Sequence, residues 1–73
     1  MQKGLKMAIR ILGGLKRTGR IIGRSQFTVA GWTKSPPQRQ IKPTKQAKAL
    51  MLAELNKIPG IHFEEADLEQ LGD

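Results

Sequence analysis

The chain has 73 residues, no cysteine, 38% hydrophobic residues and a formal net charge of +7. That length makes one domain with a modest core, and the missing thiols exclude disulfides and any zinc site built on cysteine. Twelve of the thirteen Lys and Arg lie within residues 1–50, where no Asp or Glu occurs, while residues 51–73 set Lys57 against Glu54, Glu64, Glu65, Asp67, Glu69 and Asp73. A basic body of this kind attracts polyanions, nucleic acid being expected ahead of an anionic membrane or a merely solvated surface.

Leu5, Ala8, Ile9 and Leu12 recur at helical spacing, with Lys3, Lys6 and Arg10 on another face. They predict an amphipathic helix of about ten residues, stopped by Gly13-Gly14. The mixture of cations and apolar residues in 1–24 is also that of a transit peptide or a membrane-active helix. The glycine pair interrupts such a helix, and neither half approaches the ~18 apolar residues of a membrane span. No export signal is read there, and a cytoplasmic location is expected.

A second helix is expected over 15–22, with Leu15, Thr18, Gly19 and Ile22 on one face and Lys16, Arg17 and Arg20 outside it. Gly23 suits a left-handed C-terminal position. Ser25 suits the N-cap of a third helix over 26–33, which has Val29 and Trp32 on one face. Residues 35–43, with Ser35-Pro36-Pro37, read as a loop. A fourth helix is expected over 43–56, opened by Pro43 and rich in good helix formers. Pro59-Gly60 ends it. Residues 61–63 are open to a short strand or a loop. Residues 64–71 suit a last short helix, its acids near the N-terminal end. The expected fold is therefore one all-α domain of four to five helices over 1–73, with a possible strand at 61–63.

Residues 15–34 carry the most specific pattern. A helix-turn-helix needs a small residue where the second helix crosses the first, and a glycine in the turn four residues later. It also needs apolar residues six and nine positions after that glycine. Gly19, Gly23, Val29 and Trp32 meet all four requirements, and Ile22 supplies an apolar contact before the turn. The stretch resembles the helix-turn-helix of phage Cro and CI-type repressors. Gly23-Arg24-Ser25-Gln26 resembles their turn and the opening of their recognition helix. The resemblance covers residues 5–34. Two positions depart from it: Gly19 stands where that family usually has alanine, at a cost to helix stability of about 1 kcal/mol, and Arg24 stands where an apolar residue is usual.

The resemblance implies that the third helix enters a major groove by its N-terminal residues. The base-reading candidates are Gln26, Phe27, Thr28 and Lys34. Gln26 is suited to pair with adenine. Phe27 either lies against a thymine methyl or sugar edge, or folds back into the core. Ala30 and Gly31 would allow close approach and read little. Lys16, Arg17, Arg20, Arg24, Ser25, Arg39 and Lys42 are the phosphate candidates, with Ser25 also capping its helix. Trp32 is expected in the core rather than stacked on a base.

Nothing points to catalysis. His62 is the single histidine, and one imidazole with scattered carboxylates makes neither a triad nor a metal site. The acids lack the glycine and oxygen spacing of a calcium loop. No enzyme activity, metal, cofactor or small-molecule substrate is expected. The function implied is a sequence-specific double-stranded DNA-binding regulator, a Cro-like repressor acting as a homodimer on a two-fold operator, with the acidic segment 58–73 available for the dimer contact. A CII-like activator or an excisionase-like architectural binder would use the same motif. The reading from another class is a basic membrane-active or partner-binding helical protein, which needs 1–24 as one helix.

Overall fold

The apolar stripe of Leu5, Ala8, Ile9 and Leu12 is buried as one face, and its helix α1 runs over Leu5–Ile11. In this computed structural model residues 3–34 and 41–72 are described. They form α1, α2 (Leu15–Ile22), α3 (Gln26–Trp32), α4 (Lys45–Leu55) and one 3-10 turn (Glu65–Glu69). The architecture is all-α, with no strand among the described residues. Nor is any described helix long and apolar enough to cross a membrane. Ser35-Pro36-Pro37 and Arg39 lie outside the described residues.

The reversal after α1 is made by Gly13 and Gly14, at φ of 105° and 102°, where a side chain would be strained. Gly14 N–H donates to Ile9 C=O at 2.8 Å and closes the end of α1. The fourth helix begins two residues later than Pro43 suggests. Thr44 is its N-cap, the hydroxyl accepting from Ala47 N–H at 3.1 Å, so Pro43 precedes the cap instead of opening the first turn. Ala47, Met51 and Leu55, spaced by four, turn inward.

The C-terminal segment resolves one open alternative and corrects one expectation. Of the strand and the loop open to residues 61–63, the loop is found, because the partner of Phe63 is a side chain. Phe63 N–H donates to Asn56 Oδ1 at 2.9 Å, and Asn56 Nδ2 donates to Phe63 C=O at 3.2 Å. The last helix is a five-residue 3-10 turn rather than a helix over 64–71. Beyond it the backbone carbonyls are used elsewhere: Leu5 N–H donates to Gln70 C=O at 2.8 Å and Lys6 N–H to Leu71 C=O at 3.1 Å. The first turn of α1 thus finds acceptors that its N-cap, Gly4, has no side chain to supply. A Cβ on Gly4 would run into the backbone of Leu71 and Gly72. Gln70 Nε2 donates to Lys3 C=O at 2.8 Å, and Lys3 Nζ donates to His62 C=O at 2.6 Å.

Apolar burial fastens this segment. Phe63 and Leu68 are buried with Leu5, Met51, Leu55, Val29 and Trp32 in one core. Each such side chain contributes about 1.5–3 kcal/mol, against about 0–1 kcal/mol for a surface ion pair. Polar contacts then set the angle of the turn. Lys48 on α4, its side chain 13% exposed, reaches Glu69 at 3.1 Å and Glu65 at 3.4 Å. The Glu69 hydrogen bond is the largest cause raising the Lys48 pKa above the ordinary 10.5, with Glu65 adding to it against partial desolvation.

Two stability predictions follow from this packing. Thr18 is fully buried, and its hydroxyl has no hydrogen-bond partner among the described residues. Thr18→Val keeps the shape and removes the orphan hydroxyl, so calorimetry should show a gain of about 1 kcal/mol. The raised Lys48 pKa stabilises the fold fully below the unfolded lysine value, and this contribution is lost as pH rises through the raised folded value. Thermal melts from pH 8 to pH 12 should therefore fall more steeply for the native chain than for Lys48→Met.

Candidate nucleic-acid interface

Local sequence does little to hold α2. Gly14 at its N-cap provides no side-chain hydrogen bond, and Lys16 and Arg17 place positive charge in the first turn, where the helix dipole disfavours it. The helix is secured at its other end. Gly23 adopts φ 72°, ψ 30°, its N–H donating to Arg20 C=O at 3.3 Å, while Arg24 N–H donates to Gly19 C=O at 2.8 Å. This paired closure turns the chain sharply back across α2.

The crossing passes directly over Gly19. A Cβ there would lie 2.6 Å from Arg24 O, 3.1 Å from Ser25 C and 3.2 Å from Gln26 N. The crossing falls at the position where a small residue is expected, and the propensity cost of glycine there is outweighed by the space it leaves. Backbone occupies the space an alanine methyl would need, and the closeness of the crossing depends on its absence.

Ser25 caps α3, as its position after the turn suggests. Its Oγ accepts from Thr28 N–H at 3.3 Å and lies 3.3 Å from the Thr28 hydroxyl. Val29 and Trp32 seat the helix in the core. Gln26, Phe27 and Thr28 are exposed at its first turn. Phe27 is 79% exposed, so of its two expected positions it takes the outward one. Lys34 is exposed beyond the helix, which ends at Trp32 with Thr33 as C-cap.

Gly31 does not lie on the outer surface where it was expected to allow close approach. It is buried because the chain returns onto it: Ile41 N–H donates to Gly31 C=O at 3.1 Å, and a Cβ on Gly31 would sit 3.4 Å from Ile41 Cδ1. Ile41 itself stays 58% exposed. Ile41 is not legible as a functional residue from periodicity, which cannot register a contact between segments ten residues apart. Its only signal was an isolated apolar residue in a polar, proline-containing stretch.

The phosphate candidates separate into groups. Lys16, Arg17 and Arg20 come together, with Gly13 and Ile21, around a shallow depression of about 550 Å³. Arg24 lines a smaller hollow of about 180 Å³ with Thr44 and Gln46, between the turn and α4. Lys42 stands apart, beside Lys48, Leu68 and Glu69. All these cations are exposed except Lys48. Among the described residues the ion pairs are those of Lys48 with Glu65 and Glu69, Lys57 with Glu54, and His62 with Glu64. The cations of α2 and the turn are thus left without a carboxylate among the described residues. The 3-10 turn that carries Glu65, Asp67 and Glu69 packs chiefly on α1 and α4. Within the described residues no three His, Asp or Glu side chains are grouped to hold a metal ion.

Protein-family models, curated proteins and solved structures give no match to this chain.

The two glycines of this region should respond oppositely to alanine. Gly19→Ala forces backbone apart and should cost about 1–3 kcal/mol, despite the better helix former. Gly31→Ala meets only the side chain of Ile41, at 3.4–3.9 Å, and should be neutral or gain up to about 1 kcal/mol. Urea unfolding of both variants checks the pair.

Proposed function

We propose that this protein is a sequence-specific regulator that binds duplex DNA, a Cro-like repressor of phage or prophage type working in a bacterial host cytoplasm. In this reading α2, the Gly23 turn and α3 form a helix-turn-helix, and α3 enters the major groove. The observation that carries the proposal is the surface of that pair. Gln26, Phe27 and Thr28 are exposed at the start of α3, and Lys16, Arg17, Arg20 and Arg24 are exposed on α2 and the turn that precede it, with no carboxylate partner among the described residues.

The division of labour follows from the chemistry of each group. Gln26 has an exposed amide, without a hydrogen-bond partner among the described residues, that can donate to N7 and accept from N6 of adenine. Lys16, Arg17 and Arg20 neutralise backbone phosphates, and Arg24 reaches one from the turn. Each phosphate neutralised adds about 0.9 to the slope of log affinity against log salt. Ser25 Oγ is engaged in capping, so its contact to phosphate is secondary to holding α3. The acidic segment faces α1 and α4, where it does not repel the duplex.

A seven-residue recognition helix reads few base pairs. Two copies on a two-fold site, with half-sites one helical turn apart, supply the missing specificity. Phe63 and Leu68 of the C-terminal segment are used inside the chain's own core, which leaves its polar outer residues for any contact with a second copy. Blocking a promoter at such a site is how the protein would repress.

Two substitutions separate reading from general affinity. Gln26→Ala should erase preference for the selected site, at a cost of about 1–3 kcal/mol in discrimination, while leaving the salt slope alone. Arg20→Ala should weaken all duplexes alike and reduce the slope by about 1. Fluorescence anisotropy from 50 to 300 mM salt measures both. A native chain that retains no duplex at the low-salt end would refute the proposal.

A further inference from the structure

Phe27 and Ile41 are two of the most exposed large apolar side chains among the described residues, and they come from different elements. Phe27 and Gly31 stand one turn apart on α3 and share a face. The bare Cα of Gly31 is covered by Ile41, whose backbone N–H is bonded to the Gly31 carbonyl and whose Cδ1 lies where a Cβ would just touch it. A Cβ at Gly31 would tilt back along the helix toward Phe27. Ile41 therefore stands over the face of α3 on which Phe27 lies one turn earlier, so that two exposed apolar side chains share one side of the helix that begins at Gln26, and that side is the apolar patch.

Burial in the chain's own core does not explain the patch. Phe27 at 79% and Ile41 at 58% exposed leave most of their apolar area in water. Its neighbours in the chain narrow the occupant: residues 1–50 contain no Asp or Glu, and Lys34 and Lys42 flank it in sequence, although Lys42 also stands beside Glu69. The fitting partner is a polyanion that carries apolar groups between its charges. The major groove of duplex DNA offers one such group, the C5-methyl of thymine.

We infer that Phe27 and Ile41 together read thymine methyl groups next to the base contacted by Gln26, so that Ile41 is a specificity-determining residue supplied from outside α3. The inference rests on the duplex-binding reading proposed above. Gln26 then selects adenine by hydrogen bonding, and the patch selects neighbouring thymines by burying their methyls.

The test uses a duplex selected by the native chain from a randomised pool, and the same duplex synthesised with deoxyuridine in place of every thymidine. Uracil keeps the pairing and loses only the methyl. The native chain should bind the deoxyuridine duplex more weakly, by about fourfold for each contacted methyl. Ile41→Ala and Phe27→Ala should each bind the thymidine duplex more weakly and show a smaller ratio between the two duplexes. Melting temperatures of both variants should stay near that of the native chain, since neither side chain is in the core. Equal binding of the native chain to both duplexes overturns the inference and leaves the DNA-binding reading standing. So does an Ile41→Ala variant that keeps the full ratio. Failure to bind any duplex overturns both. Vesicles of phosphatidylglycerol and phosphatidylcholine provide the other polyanionic surface with apolar content. Their capture of the native chain but not of Ile41→Ala, with no thymidine preference, would assign the patch to a membrane and overturn the inference.

Discussion

The crossing of the Arg24–Gln26 backbone over Gly19 is the contact on which the rest of this structure depends. Neither helix it joins is stable by itself. Helices of eight and seven residues are well below the length that persists alone in water, and α2 starts without a cap and with the wrong charges in its first turn. Their direction comes from the fit between them. With a backbone carbonyl 2.6 Å from where a Cβ would stand, the turn must lie flat on α2, and α3 then leaves it at one angle. That angle sends Val29 and Trp32 into the core and Phe27 away from it.

The second organising feature is the joining of the two ends of the chain. The carbonyls of Gln70 and Leu71 serve the first turn of α1, and Phe63 and Leu68 complete the core that α1 and α4 begin. This closure also carries the acids to one region. Glu65 and Glu69 meet Lys48, while the cations of α2 and the turn keep no described carboxylate. A charge asymmetry along the chain becomes one across the surface. For the proposed function this matters at long range, since a one-signed face steers a polyanion more effectively than a mixed one.

Much of this was legible from residue types alone, and the reasons are local. Helix α2 runs over the predicted residues because its glycines mark its ends. Ser25 caps α3 because a hydroxyl after a left-handed glycine has an N–H to accept from within reach. What was not legible shares an opposite character. The place of Gly19 at the crossing is legible from its spacing to Gly23, but its helix propensity says nothing of how closely the backbone five positions on fills the space of a Cβ. Gly31 was assigned to the outer surface, although a segment ten residues later covers it. Residues 61–63 were open to strand or loop, and the Asn56 amide, which takes both backbone groups of Phe63, decided for the loop.

The sequence by itself determined that the chain is all-α, the order and approximate extent of its four helices, and that its charge is divided between a basic body and an acidic end. These follow from spacing, caps, breakers and side-chain charge, which act within a few residues. Tertiary structure alone decided how closely backbone fills the space beside Gly19, whether Phe27 faces core or solvent, and that Ile41 returns onto Gly31 of the same helix. Those outcomes depend on which atoms occupy a given volume, and atoms distant in the chain compete for that volume.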